Sequence, residues 1–304
     1  MIKNQWPDDK KFAFTIVDDT DCATVENVKP VYDYLYERGF LTTKTVWVYP
    51  SEDKFTGECL MDKYYLDFIK GIQLFGFEIA LHNTCSGAIE REKIIEGFEQ
   101  FKTFLGKYPK IHINHANNME NIYWGGMRFC KPVRYVYNKV QKTYRPQGHN
   151  PDSLFFWGDI CKEKVTYIRN RVFTGINTLK YDPMMPYYEK EKIKYSNYWF
   201  SSSDGCDVQR FIKLLSKQNV DRLEKERGCC IVYTHFGKQF VTETGLNNDF
   251  KICMDYLALK NGLFLPASDL LDILRERKNK NIAPPLYLSS LDFKWIIERF
   301  LRKY

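Results

Sequence analysis

The 304-residue sequence contains no apolar run near the ~20 residues that a membrane-spanning helix needs, which argues against an integral membrane protein. Its first residues, MIKNQWPDDKK, hold no apolar segment of the secretory-leader kind, so the expected location is cytoplasmic. It has no dense Lys/Arg block and no nucleic-acid-binding motif. The formal net charge of +7 is a mild excess spread along the chain, and no nucleic-acid partner is expected. No C-x-x-C pair occurs among Cys22, Cys59, Cys85, Cys130, Cys161, Cys206, Cys229, Cys230 and Cys253. An odd number at irregular spacing excludes a simple disulfide framework and leaves reduced, mostly buried thiols. Internal repeats and low-complexity segments are also absent.

What the chain does have is material for a large core: 44% hydrophobic and 27% charged residues suit one large domain or two small ones. Aromatics reach 16%, enough to fill that core and still line a carbohydrate site. The segment FAFTIVDDTD (12–21) is the organising one. Phe12, Phe14 and Ile16 alternate with smaller or polar residues, the pattern of a short buried strand, and the run ends in Asp18 and Asp19. Adjacent carboxylates resist burial together. Either a cation relieves them, with one Asp as ligand and the other as base, or Asp-Asp-Thr-Asp is turn and cap chemistry.

Downstream, strand-like runs at 45–49, 77–81, 110–114, 198–202 and 229–234 alternate with helical patterns. The helices are expected at 25–38, 62–75, 88–105, 207–227, 249–260 and 268–277. Residues 117–196, rich in Tyr, Trp, Gly, Pro and Asn, read as an irregular insertion laid over one face. Strand and helix alternation indicates an α/β fold with a parallel sheet, and about seven units fit a single (β/α)7-8 barrel over residues 1–280. Residues 281–304 read as an amphipathic C-terminal helix beginning near Ser290. In a barrel, functional groups sit just past the carboxyl ends of strands. Asp18 and Asp19, His82, His115 and His235 all occupy that position. His112 alternates with Ile111 and Ile113 and reads as structural, while His149 lies in a loop facing solvent.

With these residues in order, the sequence resembles the NodB-type polysaccharide deacetylases, the fourth carbohydrate esterase family. FFWGD (155–159), WFSSSDG (199–205) and CCIVYTHFGK (229–238) are similar to a divergent branch found with bacterial surface-polysaccharide or lipopolysaccharide clusters. The resemblance implies a distorted barrel and metal-dependent removal of an acetyl group from an amino sugar. It further implies Asp18 as general base, Asp19 and His82 as metal ligands, His235 as general acid, and one divalent ion, most often zinc. The family's second motif has another His where this chain has Ser86, so His115, or less readily Cys85, would complete the ligand set. The family's Arg-x-Pro motif, whose Arg positions the base, is replaced by NHANN (114–118), leaving Arg128 and Arg145 as substitutes.

Asn117, Trp124, Trp157, Asp159 and Asp204 are the expected substrate contacts, the tryptophans as stacking platforms and the acids as partners of sugar hydroxyls. Asp207 reads as a helix N-cap. With a cytoplasmic location the substrate would be a nucleotide- or lipid-linked sugar precursor. The basic, aromatic tail helix would dock on the barrel, on a second subunit, or on a membrane surface. Two other readings fit the same residues: a non-catalytic glycan-binding descendant, and a metal-free glycosidase using Asp19 with Asp204.

Overall fold

Strand β1 (Phe12–Asp18) is buried at all seven positions, as a strand paired on both edges and covered by helices must be. It is followed by β2 (Thr43–Val46), β3 (Glu78–Leu81), β4 (Ile111–His112), β5 (Tyr167–Phe173), β6 (Tyr198–Asp204) and β7 (Cys229–Thr234). All pair in parallel in chain order, and β7 pairs back onto β1, closing a seven-stranded barrel. This is the computed structural model of residues 6–278 and 281–301.

Helices α1 (Val25–Glu37), α2 (Lys63–Leu74) and α3 (Arg91–Leu105) provide the first three crossovers, and α4 (Lys131–Val140) and α5 (Gly158–Lys164) lie between β4 and β5. A one-turn helix, α6 (Thr178–Tyr181), follows β5; α7 (Val208–Leu214) and α8 (Lys217–Lys225) join β6 to β7. After β7 come a hairpin of β8 (Val241–Thr242) and β9 (Gly245–Leu246), helix α9 (Asn248–Ala258), strand β10 (Gly262–Phe264), α10 (Ala267–Glu276) and α11 (Pro285–Leu301). Among the described residues no helix is long and apolar enough to cross a membrane.

The register fixes which end carries the site. β1 shares one edge between two partners: Phe12–Phe14 pairs with β10, and Val17–Asp18 pairs with β2. Edge-to-face contacts of Phe264 with Phe12 and Phe14 pack the amino-terminal end of β1. At the other end the Asp19 amide donates to the Thr234 carbonyl at 2.8 Å, so Asp19 and His235 leave adjacent strands side by side.

Three expectations are corrected. Residues 117–196 are not all insertion, because β5 lies within them; its sequence YIRNRVF hides a barrel strand behind two arginines. The helix expected over 207–227 is two helices. The chain turns at Leu215 and Ser216, where Asn219 Nδ2 donates to the Lys213 and Leu214 carbonyls at 3.2 and 3.0 Å. The tail helix begins at Pro285, with Ser290 inside it bonding back to the Tyr287 carbonyl. Asp207 does cap α7, accepting from the Arg210 amide. All nine cysteines are free thiols.

The tail helix lies against β5 through one buried ion pair. Asp292 accepts from Arg171 Nε at 3.0 Å and Nη2 at 2.6 Å, and from the Cys130 amide at 2.7 Å. The β5–β6 register slips between Arg169 and Val172. Regular alternation would put Arg169 and Arg171 on one face; the bulge sends Arg169 into the barrel mouth and Arg171 out to α11.

Candidate metal centre and surrounding pocket

Strand alternation separates the two leading carboxylates. Asp18 shares its face with Phe12, Phe14 and Ile16 and points toward α1, where Tyr32 Oη donates to Oδ2 at 2.9 Å. Lys44, its register partner on β2, donates to the same oxygen at 2.8 Å, and the Phe236 amide donates to Oδ1 at 2.7 Å. Both oxygens are occupied and fully buried, and Asp18 is absent from the pocket lining. Asp18 is therefore a structural anchor, in place of the base expected there.

Asp19 faces the opposite way, into the barrel mouth. Arg169 holds it with two parallel hydrogen bonds, Nη1 to Oδ1 at 3.0 Å and Nη2 to Oδ2 at 2.5 Å. Burial raises the carboxyl, but the Arg169 charge and the neighbouring His82 outweigh it, and Asp19 ends below the ordinary carboxylate value. Neither Arg128 nor Arg145 takes this position: Arg128 donates to Asn170 and Arg145 to Asn138.

The third acid of the turn, Asp21, is the centre of the site. His82 Nε2 lies 3.7 Å and His115 Nε2 3.3 Å from its Oδ1, and His235 Nε2 lies 3.1 Å from its Oδ2. Each ring is oriented from behind. His82 Nδ1 lies 3.1 Å from the Ile113 carbonyl and His235 Nδ1 2.7 Å from the Cys206 carbonyl, both obligate acceptors. His115 Nδ1 lies 3.0 Å from Asn118 Oδ1; the Asn118 amide nitrogen is taken up by the Cys85 and Gly87 carbonyls, so that oxygen is an acceptor. All three Nδ1 atoms therefore donate, so each Nε2 faces the carboxylate either as a lone pair or, when the ring is protonated, as a second donor.

Acceptors turned on one another need a cation or protons between them. Asp21, His82 and His115 each offer a ligand atom, all within 4.8 Å of one another, and could hold a metal ion. Asp21 Oδ1 and His115 Nε2 are buried without a properly aligned hydrogen bond. Burial pushes His82 down to about 4, despite Asp19 and Asp21, so it is neutral and ready to ligate at neutral pH. Burial would raise Asp21, but hydrogen bonds and charge from the histidines hold it well below the usual carboxylate range. The residues present fit a divalent metal.

The pocket above this group has a volume of about 290 Å³ and is lined by Asp19, Asp21, His82, His115 and His235, with Arg169, Tyr233 and Cys206 in its walls. Asp204, at the end of β6, lines it too and accepts from the Cys206 amide at 3.2 Å, holding the turn whose carbonyl orients His235. Trp124 lines the mouth, its ring 4.0 Å from the Arg128 guanidinium.

Three expected substrate contacts lie elsewhere. Trp157 is buried in the core against His112 and Phe98, its Nε1 donating to the Glu120 carbonyl. Asp159 forms a bidentate pair with Arg91 at 2.8 and 2.7 Å outside the pocket. Asn117 is exposed and is not part of the lining. His149, expected in solvent, is half-buried with its ring stacked on Tyr123.

No family model matches the chain, and no curated protein matches it either. Among solved structures, a candidate polysaccharide deacetylase of Mycobacterium smegmatis superposes with a TM-score of 0.53 at 12% identity, over 92% of this chain and 96% of that one. The barrel is of the polysaccharide deacetylase type. A Bordetella bronchiseptica candidate polysaccharide deacetylase involved in O-antigen biosynthesis gives 0.36 at 10% identity, over 96% of this chain and 95% of that one. A phospho-2-dehydro-3-deoxyheptonate aldolase of Thermotoga maritima gives 0.37 at 12% identity, over 82% and 71%. In the deacetylase-type barrel of this chain, the clustered residues all sit at the carboxyl ends of the strands, where such barrels place their chemistry.

Proposed function

We propose that the chain is a metal-dependent carbohydrate deacetylase, acting on an acetylated amino sugar during assembly of a cell-surface glycan. The observation that carries this reading is a carboxylate clamped by an arginine beside a carboxylate–imidazole group suited to a metal. Asp19 is held by Arg169, and Asp21 with His82 and His115 lies next to it.

Asp21, His82 and His115 would hold the ion, with zinc the first candidate for such a ligand set. Bound there, it supplies Lewis acidity toward the acetyl carbonyl and toward water. Asp19 is ionised at neutral pH and accepts the proton that the attacking water loses. Arg169 keeps the Asp19 rotamer fixed through both carboxylate oxygens. His235, oriented by the Cys206 carbonyl, presents Nε2 on the other side of Asp21 and returns a proton to the departing amine. The glycosidase alternative, a carboxylate and a carboxylic acid across a cleft, leaves no role for the Asp21, His82 and His115 group.

The test is acetate release from N- and O-acetylated sugars by protein reconstituted with divalent ions, compared with Asp19→Asn. The expected result is metal-dependent acetate release that Asp19→Asn abolishes while keeping its metal. Fully metal-loaded protein that releases no acetate from any of these sugars refutes the reading.

A further inference from the structure

The pocket is lined by four arginines, Arg128, Arg169, Arg210 and Arg299, against three carboxylates, Asp19, Asp21 and Asp204. Two of the arginines are matched by acids. Arg169 is occupied by Asp19, and Arg210 sits 3.6 Å from Asp204 and 3.5 Å from Asp207. Arg128 is different. Among the described residues it makes no ion pair: Nε and Nη2 donate to the side chain and carbonyl of Asn170, and Nη1 has no partner.

Its guanidinium is packed among aromatic rings, 4.0 Å from the centre of Trp124, 5.0 Å from Trp295 and 5.4 Å from Phe129. Burial, followed by the charges of Arg171 and Arg299, pulls Arg128 down to about 9, so it remains a cation at neutral pH. A half-buried cation beside other cations and without its own carboxylate is a favourable place for an anion. Here the open side of that cation faces the substrate pocket.

We propose that the substrate carries an anionic group, a phosphate or a carboxylate, next to its acetylated sugar, and that Arg128 receives this group at the pocket mouth. The proposal rests on the deacetylase reading for the sugar and acetyl part, and on Arg128 for the charge. Arg299, carried to the same mouth by α11, adds positive charge beside it. A guanidinium with a free Nη1 edge suits the oxygens of either group, and the Trp124 face under it holds the planar fork in place. A phosphate would come from a nucleotide- or lipid-linked sugar, and a carboxylate from an acidic sugar.

The experiment is calorimetric binding to the metal-loaded protein, with N-acetylglucosamine, N-acetylglucosamine 1-phosphate, glucosamine 1-phosphate and an N-acetylhexosaminuronic acid as probes. At least one anionic acetylated sugar should bind roughly tenfold or more tighter than the neutral sugar. That preference should shrink with added salt and vanish in Arg128→Met. Whichever anionic probe wins separates phosphate from carboxylate. Equal binding of neutral and anionic sugars by the unmodified protein overturns the proposal without any variant, as does absence of binding by every anionic probe at millimolar concentration. A preference untouched in folded Arg128→Met also overturns it. If glucosamine 1-phosphate binds as its acetylated form does and no acetate is released, the deacetylase reading fails while the anion site stands.

Discussion

Arg169 and Asp19 lie 150 residues apart in the chain and meet through two parallel hydrogen bonds, at 3.0 and 2.5 Å. The fork fixes both the position and the charge of the carboxylate. Arg169→Lys keeps the charge but supplies a single rotatable ammonium in place of the planar pair of donors. We expect kcat to fall by roughly 10–100-fold with KM much less affected, and metal content to stay unchanged. Steady-state acetate release together with elemental analysis checks both.

The roles of Asp18 and Asp21 separate in metal content. Asp21→Asn, His82→Ala and His115→Ala should each purify without metal, where the parent protein should carry near one ion per chain. Asp18→Asn should retain it, because Asp18 faces α1. Elemental analysis of protein prepared without affinity-tag metal is the measurement. Loss of metal in Asp18→Asn, with the fold intact by circular dichroism, would reverse the assignment.

Asp18 and Lys44 form a pair with both side chains fully buried, at 2.8 Å. Removing one partner leaves the other charge without compensation. Lys44→Met should therefore destabilise the fold by about 3–5 kcal/mol. Adding Asp18→Leu removes the orphaned charge and should restore a large part of that loss. Denaturant titration of the two single variants and the double variant gives the coupling directly.

Glu120 links stability to pH. Burial raises its carboxyl from the ordinary 4.5 to about 7, against hydrogen bonds from Asn118 and Asn83. Because the folded value is the higher one, the folded state keeps a proton that the unfolded chain has released. The contribution is thus complete below 4.5 and is lost as pH rises through about 7, a change of about 3 kcal/mol. Glu120→Gln mimics the protonated form and should flatten this trend. Melting temperatures at about pH 5 and about pH 8.5 should differ less in the variant than in the parent.

The strands that deliver His82, His115 and His235 were legible because each is a short, largely apolar run with an imidazole just past its end. Those runs, with the helices between them, also carried the barrel. β5 escaped because YIRNRVF interrupts its apolar residues with two arginines whose partners, Asp19 and Asp292, are remote in sequence. The choice between Asp18 and Asp19 was open to a parity argument. Asp18 follows Phe12, Phe14 and Ile16 onto the helix-facing side, and Asp19 follows the smaller residues into the mouth. Asp21 left a weaker trace, since an acid in a turn is ordinary capping chemistry. It takes the three converging imidazoles to set it apart.

The slip in register between Arg169 and Val172 gives β5 something like a reading frame. Upstream of it, odd-numbered Arg169 faces the chemistry; downstream, odd-numbered Arg171 faces the tail helix. One strand thus serves two clients with chemically identical side chains, told apart only by an extra residue between them. Deleting Asn170 would restore strict alternation and set the two guanidiniums, now adjacent in sequence, on opposite faces with no bulge to absorb the shift to Val172. The same two-sided arrangement can therefore be written in two ways, as two arginines separated by one residue across a bulge or as two adjacent arginines in a regular strand.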